Sequence, residues 1–456
     1  MLNFLRFRVA ALAPYQTSSA LRVACGRLPG QLPVGMCSVF YLSAFFPMHI
    51  VIDACCLGRK KTGNETYIRG LLSGLEAVIM RNVELGVRNS QTDSSQQPAI
   101  NDQHSSPAPS SHLVIPSSFK FQLSAFRLTV LTTEAYTGGR AACFDWVNVP
   151  LGNFLTRNFL TIPRVLEGLR PDLYHGVYWS RFFAQPVPTV LMVHDLSFVS
   201  FPQGFRAHEQ WVYSNLVRAC ARSARHILTV SNFSKQELMT HWGIPDDSIT
   251  VTYDGLDACY GVGGPASKQI GKSEPYVLYL GNLHPRKNIV RLLEGFVKVR
   301  ERGGFSHRLK IVGQATWMAD DVFSAVRESG LVDQVDFTGY VSYEQLTSLY
   351  QNADVCVYPS LYEGFGLPVL EAMACGCPVV CSSTTSIPEV AGEACILVNP
   401  ESVEDIAAGI ESVLRDPAVA KRLRERGPVQ AAKFTWEACA QATLVGYRKA
   451  LSTSRI

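Results

Sequence analysis

Two glutamates with seven residues between them, Glu363 and Glu371, occupy a stretch that local rules divide into strand, turn, helix and strand. Residues 355–358 are a short, continuously apolar strand of the doubly buried kind. Glu363-Gly364-Phe365-Gly366 is a turn whose glycines let backbone N–H groups approach a ligand closely. Pro368 suits the first position of a helix and Gly376 its end, and residues 378–381 are a second buried strand. Glu363 thus lies just past a strand end, where an open parallel sheet binds ligands. Glu371 lies in the helix over 368–375, which is almost wholly apolar apart from it. The plain alternative is an acid in a turn and a solvated acid on a helix.

Arg286 and Lys287 follow an apolar strand at 276–280 and precede a helix opening at Asn288. Cations so placed meet phosphate oxygens, reinforced by a helix N-terminus. Two solvated bases in a surface loop are the alternative. His194 ends an apolar run over 189–194, and His175 ends another. A lone histidine at a strand end is usually structural, and His175 is read that way. No Asp-x-Asp pattern follows a strand to hold a divalent cation; Asp320-Asp321 opens a helix and reads as N-terminal charge.

Together these motifs resemble those of the family 4 retaining glycosyltransferases. Glu363…Glu371 in its Gly-rich, Pro-containing setting resembles the paired-glutamate signature, Gly281-Asn282-Leu283-His284-Pro285-Arg286-Lys287-Asn288 a second motif, and His194-Asp195 a third. The match is collinear from about Met48 to the C-terminus. The resemblance implies the α/β GT-B fold, two Rossmann-like doubly wound parallel-sheet domains facing a cleft. It implies transfer from a nucleotide sugar without metal or cofactor. Lys287 is placed on the donor diphosphate with Arg286 beside it. Asn282 is a departure, since many members carry an Arg there that also contacts the diphosphate. Glu371 is implied to hold the ribose hydroxyls and Glu363 to lie beside the donor sugar. The backbone N–H groups of Gly364, Phe365 and Gly366, in a donor-binding turn that runs on to Leu367, would bind sugar hydroxyls and phosphate. His194 would reach the donor sugar from the opposite wall, and Gly63 would lie near the phosphates and the acceptor. His194, Glu363 and Lys287 are the implied catalytic set.

Within the family, residues 284–288 and 194–198 look most like mannosyltransferases of bacterial surface polysaccharides. GDP-mannose is the donor this favours, with UDP- and ADP-sugars as alternatives. The acceptor is a saccharide or a lipid-linked one, with cytoplasmic placement and peripheral contact at the inner membrane face as options. Two rivals stay open: a sugar-nucleotide epimerase on the same fold, and a non-catalytic nucleotide-sugar-binding subunit.

The elements that must position these residues alternate strand and helix. Strands are expected at 49–53, 128–131, 173–175, 189–194, 226–230 and 249–253, then at 276–280, 309–312, 335–338, 355–358, 379–381 and 395–398. A helix is expected over 64–79, others opening near Asn288, Ala319, Ser342 and Ser402, and helix throughout beyond Arg415. Ser234 and Glu237 read as a capping box. The implied parts are an N-terminal acceptor-side domain (48–257), a linker (258–275), a nucleotide-sugar domain (276–434), and a last helix (435–456) crossing back onto the first domain.

Composition agrees. Apolar residues at 47% and charged residues at 18% describe an ordinary globular chain. Residues 1–47 hold Arg6, Arg8, Arg22 and Arg27 with no Lys, Asp or Glu, so removing them from 42 bases and 38 acids leaves a formally neutral remainder. That argues against a nucleic-acid partner. The same 47 residues have a transit-peptide-like composition, but a true start at Met48, or else disorder, is the reading favoured. Residues 90–118 hold nine Ser, four Pro and four Gln, too few apolar groups for a core, and read as a low-complexity insertion. The odd count of 13 cysteines, with no paired Cys-x-x-Cys spacing, points to buried reduced thiols in a cytosolic protein.

Overall fold

The structure, a computed structural model, describes residues 48–58, 63–92, 126–134, 136–150, 152–180, 183, 186–260, 274–316 and 318–452. The expected extension at 1–47 lies outside them, as do most of the insertion and residues 261–273 of the linker. The strands are β1 (Met48–Asp53), β2 (Phe126–Thr132), β3 (Asp145–Asn148), β4 (Leu173–Val177), β5 (Thr189–Met192), β6 (His226–Thr229) and β7 (Ile249–Val251) in the N-terminal half. The C-terminal half holds β8 (Tyr276–Leu280), β9 (Arg308–Val312), β10 (Val335–Gly339), β11 (Val355–Tyr358), β12 (Val379–Ser382) and β13 (Ile396–Val398).

The first sheet runs β3-β2-β1-β4-β5-β6-β7 and the second β10-β9-β8-β11-β12-β13, with every pair parallel. Parallel strands joined through helices are covered on both faces, which is why the sequences are unbroken apolar runs. Ile50, Val51 and Ile52 are wholly buried, as are all four residues of β11. Each sheet reverses its order beside its first strand, at β1/β4 and at β8/β11, and crevices form at such switch points beyond the strand carboxyl ends.

Helix Trp436–Ser452 packs on helix Gly63–Thr92 of the N-terminal half. The approach requires glycine: a Cβ on Gly70 would stand 2.0 Å from the Trp436 ring, and one on Gly74 2.0 Å from the Trp436 carbonyl oxygen. Tyr447 of the same helix hydrogen-bonds His175 at 2.7 Å. The described residues form one compact unit.

Four sequence expectations change. The first helix runs to Thr92, so Ser90–Thr92 of the supposed insertion are helical. Strand β3 was not expected; it is a four-residue edge strand, half exposed, with no apolar run to mark it. Strand β5 stops at Met192, so His194 stands in the loop beyond it. The cap of helix Asn232–Trp242 is Ser231, whose Oγ accepts from Ser234 N at 3.0 Å, and Glu237 turns elsewhere.

Candidate active site

All ten residues singled out from the sequence line one cavity of about 540 Å³ between the two sheets. Gly63 opens the first helix at the rim, and a Cβ there would meet nothing within 4 Å.

The C-terminal wall starts in the loop after β8. Gly281 (φ 148°) and Gly313 (φ 149°) abut, and a Cβ on Gly313 would stand 2.1 Å from the Gly281 carbonyl oxygen, so glycine is required. Pro285–Lys287 form a single 3₁₀ turn. Asn288 follows in the left-handed region, which Asn tolerates, and donates to the carbonyls of Pro359 at 3.0 Å and Pro400 at 2.6 Å. These bonds aim Lys287 inward. Its Nζ lies 2.5 Å from both the Tyr358 hydroxyl and Glu363 Oε1. Arg286 Nη1 donates to Glu363 Oε2 at 3.0 Å and to the Tyr362 carbonyl at 3.1 Å.

Glu363 is therefore gripped by two cations. Burial alone would raise its pKa, but Lys287 and Arg286 outweigh it and hold the carboxyl well below the usual range. Burial and the neighbouring Arg286 make Lys287 less basic, against the pull of Glu363. The turn after Glu363 is pinned by Ser386, whose hydroxyl donates to the carbonyls of Glu363 at 2.9 Å and Phe365 at 3.0 Å. Gly364, Phe365 and Gly366 line the cavity. Among the described residues no acceptor sits on the N–H of Gly364, Phe365 or Gly366. Glu371, in helix Leu367–Ala374, accepts from the Tyr350 hydroxyl at 3.0 Å, and burial pushes its carboxyl up to about 7.

The opposite wall carries His194. Its ring meets Tyr67 edge-on at 4.9 Å and Tyr178 at 5.4 Å. Among the described residues its buried Nε2 has no hydrogen-bond partner, and burial lowers its pKa to about 4, so the imidazole is neutral at pH 7. His175 stays in the core, away from the cavity, held between Tyr67 and Tyr447.

The walls touch through contacts that sequence reasoning missed. A Cβ on Gly364 would stand 2.7 Å from Asp195 Cβ and 2.8 Å from the His194 carbonyl, so only glycine lets the turn approach that segment. The Tyr362 hydroxyl donates to Glu237 and accepts from Leu196 N. Glu389 accepts from the N–H groups of Asn232 and Phe233, each at 3.1 Å, capping a helix of the other half. Tyr358, bridging Lys287 and Glu363, had no local signal. Among the described residues no cluster of three or more His, Cys, Asp or Glu is arranged to hold a metal, and Asp320 and Asp321 occupy the first turn of helix Asp320–Glu328.

Two facing parallel sheets, with paired cations at one wall of the cleft and a histidine at the other, have the architecture of the GT-B fold. A solved sucrose-phosphate synthase from Thermosynechococcus elongatus superposes with TM-score 0.62 at 20% identity, over 89% of this chain and 100% of that one. Residues 265–430 match the family described as glycosyl transferases group 1, and residues 125–258 match glycosyltransferase family 4. The Escherichia coli O-antigen chain mannosyltransferase B is 34% identical over 291 residues, 62% of this chain and 76% of that protein. The E. coli serotype-specific mannosyltransferase WbdA is 28% identical over 284 residues, 59% of this chain and 34% of that protein. The chain belongs to glycosyltransferase family 4.

Proposed function

We propose that the chain is a retaining hexosyltransferase that moves mannose from GDP-mannose to a hydroxyl of a saccharide or lipid-linked acceptor in polysaccharide synthesis. The names of the two E. coli relatives support mannose over the UDP- and ADP-sugar alternatives. They favour transfer over the epimerase and binding-subunit readings. The observation that carries the mechanism is the Lys287–Glu363–Arg286 cluster beside the unoccupied amides of the turn. A diphosphate arriving there draws on Lys287, Arg286 and the Gly364–Phe365–Gly366 N–H groups, which stabilise charge as the leaving group departs. Arg286 supplies positive potential where Asn282 replaces the family's more common arginine. Glu371 binds the ribose diol and Gly63 leaves room for phosphates and acceptor, while Leu367 closes the turn.

Each oxygen of Glu363 is bonded by a cation, Oε1 by Lys287 and Oε2 by Arg286, which weakens the carboxylate as a nucleophile and suits it to an orienting, electrostatic role. The reading is therefore front-face transfer, with the departing phosphate taking the acceptor's proton and no metal or cofactor needed. His194 Nε2, without a protein partner, meets a donor-sugar hydroxyl from the other wall. Among the described residues no helix is long and apolar enough to cross a membrane; cytoplasmic action with peripheral contact at the inner face belongs to the same proposal. Incubation with a panel of GDP-, UDP- and ADP-sugars and candidate acceptors tests it. Hexose transfer from GDP-mannose is expected, and nucleotide-sugar interconversion without transfer would replace it with the epimerase.

A further inference from the structure

The N-terminal wall contains a second buried polar group that neither the motifs nor the mechanism uses. His194, Val230 and Asp254 follow the neighbouring strands β5, β6 and β7, and all three line the cavity. The registers Met192↔Leu228 and Thr229↔Val251 continue to set His194 and Val230 level with Thr252. Asp254 stands two residues further along, beyond the carboxyl end of the sheet, where ligands of such folds bind.

Asp254 lines the cavity at 5% exposure, and among the described residues its buried Oδ1 accepts no hydrogen bond. Among the described residues no donor reaches either of its oxygens. A carboxyl buried without partners is destabilising, and native structures rarely retain one without a use. Its backbone is clamped on both sides. Thr252 N donates to the Thr229 carbonyl at 2.7 Å and Leu256 N to the Phe434 carbonyl at 3.2 Å. A Cβ on Gly255 would lie 2.1 Å from Trp436 N, so the last helix presses directly on the chain there. The backbone that carries Asp254 is therefore fixed at the cavity wall, as the support of a preorganised binding group should be.

We propose that Asp254 is a sugar-binding residue of this cleft, exchanging hydrogen bonds with a hydroxyl of a bound hexose. This rests on the hexosyl-transfer reading above. Burial, with Asp257 adding to it, pushes the carboxyl up to about 8, so it is protonated at neutral pH. A protonated carboxyl both donates and accepts, as a hydroxyl does, and neutralises no charge needed by the diphosphate.

The same chemistry fits a donor hydroxyl or an acceptor hydroxyl, and kinetics separate them. Asp254→Val removes the hydrogen bonds, and Asp254→Asn keeps a donor and an acceptor in the same volume. The expected result is a fall in kcat/KM of about tenfold or more for valine, recovery to within about threefold for asparagine, and a melting temperature for valine no lower than wild type. A merely structural residue would instead lose stability in step with activity. If the hydroxyl is the donor's, acceptor-free donor hydrolysis and donor KM change while affinity for the free nucleoside diphosphate does not. If it is the acceptor's, acceptor KM alone rises. Should valine disturb packing, Asp254→Ala carries the same comparison without added bulk. Wild-type protein that transfers no hexose from any nucleotide sugar defeats the underlying reading. Active wild type with Asp254→Val or Asp254→Ala at full activity, or with losses matched by melting and not recovered by asparagine, overturns the assignment of Asp254.

Discussion

The two walls of the cleft solve different problems. On the C-terminal wall the charged side chains are paired before any ligand arrives: Glu363 bonds both Lys287 and Arg286, leaving one positive charge in excess, and Tyr358 joins them. On the N-terminal wall His194 Nε2 and Asp254 Oδ1 are buried and, among the described residues, have no hydrogen-bond partner. A wall of paired charges suits a ligand that carries charge, since phosphate can share existing cations without leaving a bare one in the dry state. A wall of neutral, unsatisfied groups suits uncharged hydroxyls, which complete those hydrogen bonds. The division matches a nucleotide diphosphate on one side and a sugar on the other.

Breaking the charged wall should have the largest effect. Lys287→Ala removes a contact made in the ground state and strengthened as charge grows on the leaving group. The expected loss is about 3 kcal/mol, or about a hundredfold or more in kcat/KM, read by steady-state kinetics together with donor binding. Wild-type affinity for the donor in this variant would take Lys287 out of the site. Glu363→Gln should come next, impaired by about ten- to a hundredfold but measurable, because an amide still bonds hydroxyls. It also strands two cations, so its melting temperature should fall.

The neutral wall should show itself in pH dependence. With His194 lowered to about 4, the kcat/KM profile should carry no histidine inflection near pH 6.5. The unfolded state binds the extra proton between pH 6.5 and about 4, so the contribution of His194 to stability is full above 6.5 and lost as pH falls through that window. His194→Gln should flatten that part of the stability profile, and an unchanged one would place the imidazole in water. The smallest effect belongs to Glu371→Gln, which should raise donor KM several-fold with kcat nearly intact. Because burial raises Glu371 to about 7, its contribution is full below pH 4.5 and lost as pH rises through 7. The glutamine variant should therefore melt higher than wild type at pH 8 and near it at pH 4.5.

Most of the charged wall was readable because its parts are local. An apolar strand, a glycine turn and a proline-led helix announce where Glu363 and Glu371 stand, and Arg286-Lys287 precede a helix in the same way. The neutral wall was less readable. Asp254, between Tyr253 and Gly255, looks like any acid in a turn, and only the packing of helix Trp436–Ser452 shows it to be buried. Glu237 misled because its spacing from Ser234 satisfies a capping rule, yet its carboxylate reaches Tyr362 in the other half, 125 residues away in sequence. Glu389 capping helix Asn232–Trp242 is likewise long-range, and period and propensity carry no information on such pairings. Strand β3 escaped because a half-exposed edge strand needs no apolar run.

The most direct test of the account is the anomeric configuration of the product, read by NMR after transfer from GDP-α-mannose. Retained α configuration with no glycosyl adduct on Glu363 is the predicted result. A β-linked product, or a trapped glycosyl-Glu363 intermediate, would contradict transfer on the front face between these two walls.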